Sequence, residues 1–182
     1  DWKEKSGLPL FSREGTRVSS PTYLPSPDLL SRFAPLTPVW GCPEIHAHVA
    51  PDVFGLWDAW EQATGGEREI PYWAAVWPAA VVFARFLLDN PECVRGRTVV
   101  DVGCGSGVAS IAAVKAGAPR VVANDIDAVA LHVALLNATA NGVSFETLCA
   151  NLIEGETVVE ADVVLAADLF YERSKARAQE EY

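Results

Sequence analysis

The chain has 182 residues, half of them apolar, and a formal net charge of −10. That length supports one sizeable core, no apolar run is long enough to span a bilayer, and the acidic balance argues against direct nucleic-acid binding, which must neutralise phosphates. A basic protein partner is easier to accommodate, although acidity mostly serves solubility. The four cysteines (Cys42, Cys93, Cys104, Cys149) are scattered with no CxxC, which points to reduced thiols and not to a disulfide framework. The sequence starts at Asp1 and contains no methionine, as expected of a processed, trimmed or partial product; a removed targeting segment would leave such a start.

Residues 1–40 are rich in Pro and Ser, as in "SSPTYLPSPDLL" and "FAPLTPVW". Pro at this density disfavours long helices and central strands, so an extended arm lying over a surface or a partner is expected. Residues 41–182 form the domain proper. Its first part, to Trp77, is irregular and aromatic (Trp57, Trp60, Trp73, Trp77), and ordinary packing accounts for these rings better than an aromatic cage, Trp77 excepted. Pro78 suits the first turn of a helix, and "AAVVFARFLLDN" places Ala79, Val82, Phe83, Phe86 and Leu87 on one face. Asn90-Pro91 ends it.

From there the alternation is regular. "TVVDVG" (98–103) reads as a strand, and "SGVASIAAVKAG" (106–117) as a helix with Val108, Ile111, Ala112 and Lys115 at helical spacing. "RVVANDI" (120–126) is a second strand, and Asp127 caps "AVALHVALLNATAN", with a stripe of Leu131, Leu135 and Ala138. "SFETLCA" (144–150) is a third strand. "ADVVLAADLFY" (161–171) is a fourth, with a near-continuous apolar start that predicts cover on both faces. Strands separated by helices imply βαβ units and a doubly wound, Rossmann-like parallel α/β sheet.

In such a sheet ligands sit beyond the carboxyl ends of the strands. Gly103, Gly105 and Gly107 form the turn between the first strand and its helix, and glycine there lets a ligand approach the backbone. The second strand ends at Asp125, about 22 residues on, where an acid can accept hydrogen bonds from both hydroxyls of a ribose. A dinucleotide fingerprint has glycines at relative positions 1, 3 and 6; here they fall at 1, 3 and 5. Asp101, just before them, is awkward beside the pyrophosphate of NAD and better placed near a cation such as the ammonium or sulfonium of S-adenosylmethionine. The bland alternative is a glycine turn that only tightens strand–helix packing.

"DVGCGSG", followed by "ANDID" and "AADLFY", resembles the class I, seven-strand S-adenosylmethionine-dependent methyltransferases. More narrowly, Asp168-Leu169-Phe170-Tyr171 resembles the Asp-x-x-Tyr motif of protein-lysine methyltransferases. The stretches "PEIHAHV", "PYWAAVWPAAVVFARFLLDNPECVRGRTVVDVGCGSGVASIAA" and "GAPRVVANDIDAVALHVALLNATANG" are similar to the family of electron transfer flavoprotein β subunit lysine methyltransferases, from about Pro43 to Glu172. The resemblance implies S-adenosylmethionine as cofactor. It implies that Asp101, Gly103, Gly105 and Gly107 lie at its methionine part, Asp125 at its ribose, Asn151 at its adenine, and Trp77, of the Trp-Pro element, over it. Asp168 and Tyr171 then meet the substrate amine. Asp168 would orient that amine or take its proton through water, and Tyr171 would accept a hydrogen bond and offer a π face to the cationic product. The competing structural reading makes Asp168 a helix cap and Tyr171 packing.

The same family has strands ordered 3-2-1-4-5-7-6, and this sequence stops just after the fourth. The fold is therefore expected to be incomplete at its C-terminus, with an apolar edge that further chain or another protein must cover. This motivates two functions. One is a protein-lysine N-methyltransferase acting on a protein such as the electron transfer flavoprotein β subunit. The other is an inactive, methyltransferase-like structural subunit of a large mitochondrial assembly. The resemblance and the missing start methionine favour the mitochondrial matrix, with the cytoplasm as the other location. Cys42, His46 and His48 lack a fourth ligand and a standard zinc spacing, so no metal is expected. His132 and Cys104 read as packing residues.

Overall fold

A computed structural model describes residues 24–155 and 157–169. The chain opens with helix α1 (Pro27–Phe33), then strands β1 (Leu36–Val39) and β2 (Cys42–His48), helices α2 (Val53–Thr64) and α3 (Pro78–Asp89), and the alternation β3 (Thr98–Val102), α4 (Val108–Lys115), β4 (Arg120–Asp125), α5 (Ala128–Ala140), β5 (Glu146–Cys149), β6 (Val163–Ala166).

The expected extended arm is corrected over residues 27–39. Ser26 caps α1 by accepting from Leu29 N (3.1 Å), and Pro27 occupies the first helical position, where a missing N–H costs nothing. Leu29 and Leu30 are buried. Pro38 is tolerated because β1 pairs only with β2, as an antiparallel hairpin turning at Gly41. Residues 1–23 of the arm lie outside the described residues.

The β3–β6 region follows the predicted alternation. Its four strands are all parallel, in the order β5-β4-β3-β6. Asp127 caps α5 as expected, accepting from Val129 N at 2.7 Å. α4 is buried continuously from Val108 to Ala113, and its small residues let α3, β2, β3 and β4 close around it. α5 has two working faces. Leu131 and Ala134 pack with Ala123 of the sheet, while Val129, Ala130 and Val133 pack with Leu56, Trp60 and Trp73. Trp60 and Trp73 meet edge-to-face, so packing, not a cage, is their role.

Two expectations fail for one reason: an apolar run does not choose which of its faces a neighbour will cover. On α3 the buried positions are Val81, Ala84 and Leu87, whereas Val82 is 64 % exposed and Phe86 49 %. Contact with α4 decided the face. On β6, Leu165 is buried against the α3–α4 side, but Val164, pointing the opposite way, is 63 % exposed. Among the described residues β6 is a sheet edge with one open face. No helix among them is long and apolar enough to cross a membrane.

Candidate functional site

The glycine turn leaves β3 at its carboxyl end and is tied to β4 at once: Cys104 N donates to Asn124 O (2.8 Å), and Gly107 N closes the turn onto Cys104 O (2.8 Å). The three glycines are not equivalent. A Cβ on Gly103 would run into the Leu169 side chain, and one on Gly107 would stand 2.9 Å from Ala134 Cβ. Those two positions are small because protein packs there. A Cβ on Gly105 would meet nothing within 4 Å. Gly105, with φ +51°, is therefore the glycine of the turn past which a ligand can approach.

Asp125 stands beside that opening. Its Oδ2 accepts from Gly105 N (2.9 Å) and its Oδ1 from Asp127 N (3.0 Å), so backbone holds the carboxylate in place. Each oxygen keeps a lone pair for a further donor, which is what two vicinal hydroxyls require. Exposed beside it, Ile126 (72 %) offers an apolar face of the kind a purine base can lie on. Asp101 is buried at the other flank of the turn, accepting from Ser110 Oγ (2.6 Å). Burial raises its carboxyl to about 6, despite the hydrogen bonds from Ser110, with the nearby Asp125 charge adding to the shift. A cation placed here would relieve that cost.

A shallow, open cleft lies between this turn and the start of α3, lined by Asp101, Gly103, Gly105, Ala80, Trp77 and Asp168, among others. A buried acid, an open glycine whose N–H is held by Asp125, and the apolar Trp77 and Ala80 nearby suit an adenosyl sulfonium. Trp77 is half-exposed, its Nε1 donating to Tyr72 O (3.1 Å) with the two rings 6.1 Å apart. Asp168 lies past the end of β6, with Oδ2 accepting from Ala79 N at 3.0 Å. Asn151 follows β5, and its side chain organises the local loop: Oδ1 accepts from Ile153 N and Glu154 N, both at 3.0 Å. Tyr171 lies outside the described residues. Among the described residues no cluster of His, Cys, Asp or Glu could hold a metal ion. His48 Nδ1 is occupied by Ala34 O at 2.7 Å.

Three asparagines that the sequence reading did not single out organise this site. Asn124 Nδ2 donates to Leu148 O and Ala150 O (both 2.8 Å), holding the end of β5 beside the glycine turn. Asn137, fully buried on α5, accepts from His48 N (2.9 Å) and donates to Ser106 O (2.9 Å), bridging the hairpin and the turn. Asn141 pairs with both backbone groups of His46, as a neighbouring strand would. The available signal was "NATAN": amides four apart on a helix otherwise apolar all round.

A family model described as ribosomal protein L11 methyltransferase (PrmA) matches residues 87–170. The electron transfer flavoprotein beta subunit lysine methyltransferase of Homo sapiens is 38 % identical over 135 residues, 74 % of this chain and 50 % of that protein. That of Mus musculus is 37 % identical over 135 residues, covering 74 % and 52 % respectively. That of Xenopus laevis is 47 % identical over 107 residues, covering 58 % and 43 %. The chain thus spans about half the length of these relatives. The order β5-β4-β3-β6 is that of the first four strands of the class I fold, 3-2-1-4, and S-adenosylmethionine is the cofactor of that fold. The strand order is that of an incomplete class I fold, and the sequence is similar to the lysine methyltransferases of the electron transfer flavoprotein β subunit and, over residues 87–170, to the ribosomal protein L11 methyltransferase family.

Proposed function

We propose that this protein is a protein-lysine N-methyltransferase of the mitochondrial matrix, acting on the electron transfer flavoprotein β subunit or a protein like it. One observation carries the reading. Asp101 and Gly105 line a cleft that Trp77 and Asp168 also line, and Asp125 is held against the same turn by accepting from Gly105 N, so the residues suited to the cofactor lie beside the Trp-Pro and Asp-x-x-Tyr stretches that resemble those of lysine methyltransferases.

S-adenosylmethionine supplies a methyl group on a positively charged sulfur. Asp125 would accept from the ribose hydroxyls, and Asp101 would face the cationic methionine end. Gly105 admits the ligand close to the backbone, Asn151 borders the adenine end, and Trp77 excludes water above the reacting centre. The lysine must arrive neutral, although a free lysine titrates near ~10.4, so a less polar cleft mouth favours the reactive form. Tyr171, three residues after Asp168, is assigned to the amine end by motif.

The test is to incubate the full-length protein with the β subunit and S-adenosylmethionine, then map lysines by mass spectrometry. The expected result is a 14 Da increment (or its multiples) on a lysine, absent with Asp125→Ala. Cofactor binding without methyl transfer to any lysine of the β subunit or of a mitochondrial extract would favour the structural-subunit reading.

A further inference from the structure

Helix α3 begins without a cap of its own. Trp77 occupies the capping position and supplies no side-chain acceptor, and Pro78 has no N–H. Ala79 therefore carries the first backbone donor that needs a partner. That partner arrives from 89 residues away, as Oδ2 of Asp168. Asp168 is also the one non-glycine residue with positive φ (55°) among the described residues. The left-handed region is disfavoured for any side chain but least so for Asp and Asn. The next residue, Leu169, fills the space against Gly103. Asp168 and Leu169, just past β6, thus touch both walls of the cleft: α3 through a carboxylate, and the glycine turn through an apolar side chain.

We propose that Asp168 is a positioning residue: its carboxylate caps α3 across the cleft and so holds Trp77 in the cofactor wall. This deepens the methyltransferase reading and rests on it for its kinetic part only. The sequence allowed Asp168 three roles: orienting the amine, accepting its proton, or capping a helix. The cap observed is on the preceding α3, and one carboxylate oxygen is committed to it.

Three variants separate these roles. Asp168→Asn keeps an oxygen acceptor and tolerates the left-handed backbone, but carries no charge. Asp168→Gly removes the acceptor while relieving the backbone. Asp168→Ala removes the acceptor and keeps the strain. The Ala79 amide should be protected from hydrogen exchange in the wild type and in Asp168→Asn, and should exchange at least 10-fold faster in the other two. The Kd for S-adenosylmethionine should stay within about threefold for Asn and rise about 10-fold or more for Gly and Ala. With a lysine substrate, Asn should keep the wild-type pH–rate profile and lose no more than about threefold in kcat.

The proposal is overturned if Asp168→Asn binds cofactor normally but is as inactive as Asp168→Ala, because then the charge matters and the cap does not. It is equally overturned if the Ala79 amide exchanges alike in all four proteins. Should the wild type methylate nothing, the lysine reading fails, while the exchange measurement still decides the cap.

Discussion

The two ends of the cleft are built differently. At the glycine turn, Asp125 and Gly105 are 20 residues apart within one β–α–β unit, and the acid is oriented by the backbone N–H groups of Gly105 and Asp127. At the start of α3, Asp168 and Ala79 are 89 residues apart, and a side chain must bridge two elements whose relative position nothing local determines. The first end survives as long as the βαβ unit folds. The second depends on the whole arrangement of α3, β6 and the glycine turn. The Asp125 end can thereby be disturbed without touching the α3 cap, whereas loss of that cap, acting through Trp77, should also weaken the proposed cofactor site.

The largest effect is expected at Asp125, the proposed ribose acceptor. Asp125→Ala removes an acceptor for two hydroxyls, each bond to a charged group contributing about 2 kcal/mol, so calorimetry should show S-adenosylmethionine affinity falling close to ~1000-fold. A change of threefold or less would mean that the ligand lies elsewhere. Next comes Asp101. Its buried carboxyl, raised to about 6 from 3.8, binds its proton more tightly in the folded state than in the unfolded one. Stability of the ligand-free protein should therefore fall as pH rises from about 4 to about 6, by roughly 3 kcal/mol from this residue. Melting temperatures of Asp101→Asn across that range should lack this decline, and cofactor affinity of the wild type should strengthen as pH rises through about 6. An unchanged pH profile in the variant would place the titration on another group.

Asn137→Ala tests what joins the hairpin to the turn. It strands the His48 N–H and the Ser106 carbonyl in the interior, at about 2 kcal/mol in total, and thermal unfolding should drop by roughly 5 °C. The smallest effect should come from Gly105→Ala, which leaves no clash and costs about 1 kcal/mol for its left-handed backbone, yet weakens cofactor binding. Gly107→Ala should reverse the pattern, since its Cβ would press on Ala134, with stability suffering more than affinity. Equal behaviour of the two variants would erase the distinction between a ligand glycine and a packing glycine.

Local chemistry made much of this protein legible in advance. Parallel strands alternating with helices follow from short apolar runs bounded by Gly, Pro and Asp; the acid at the end of β4 follows from spacing alone; the cap at Asp127 follows from residue type. The arm was misread between 27 and 39 because Pro was counted by density. Pro27 beside Ser26 is a helix start, and Pro38 on a two-stranded hairpin is an edge residue. In α3 and β6 the apolar pattern was continuous, so nothing in it distinguished Val81 from Val82 or Leu165 from Val164.

What the amino-acid order determined by itself was the βαβ framework, the glycine turn and the acids at Asp101 and Asp125 that flank it, because each depends on neighbours a few residues away or on strand and helix periodicity. What only the tertiary structure decided was which apolar face is buried, which of three glycines opens to a ligand, how Asn137 ties the hairpin to the turn, and that Asp168 caps a helix begun 90 residues earlier. Those outcomes depend on groups brought together through space, where a hydrogen bond forms only if both partners arrive and a face is buried only if something packs on it.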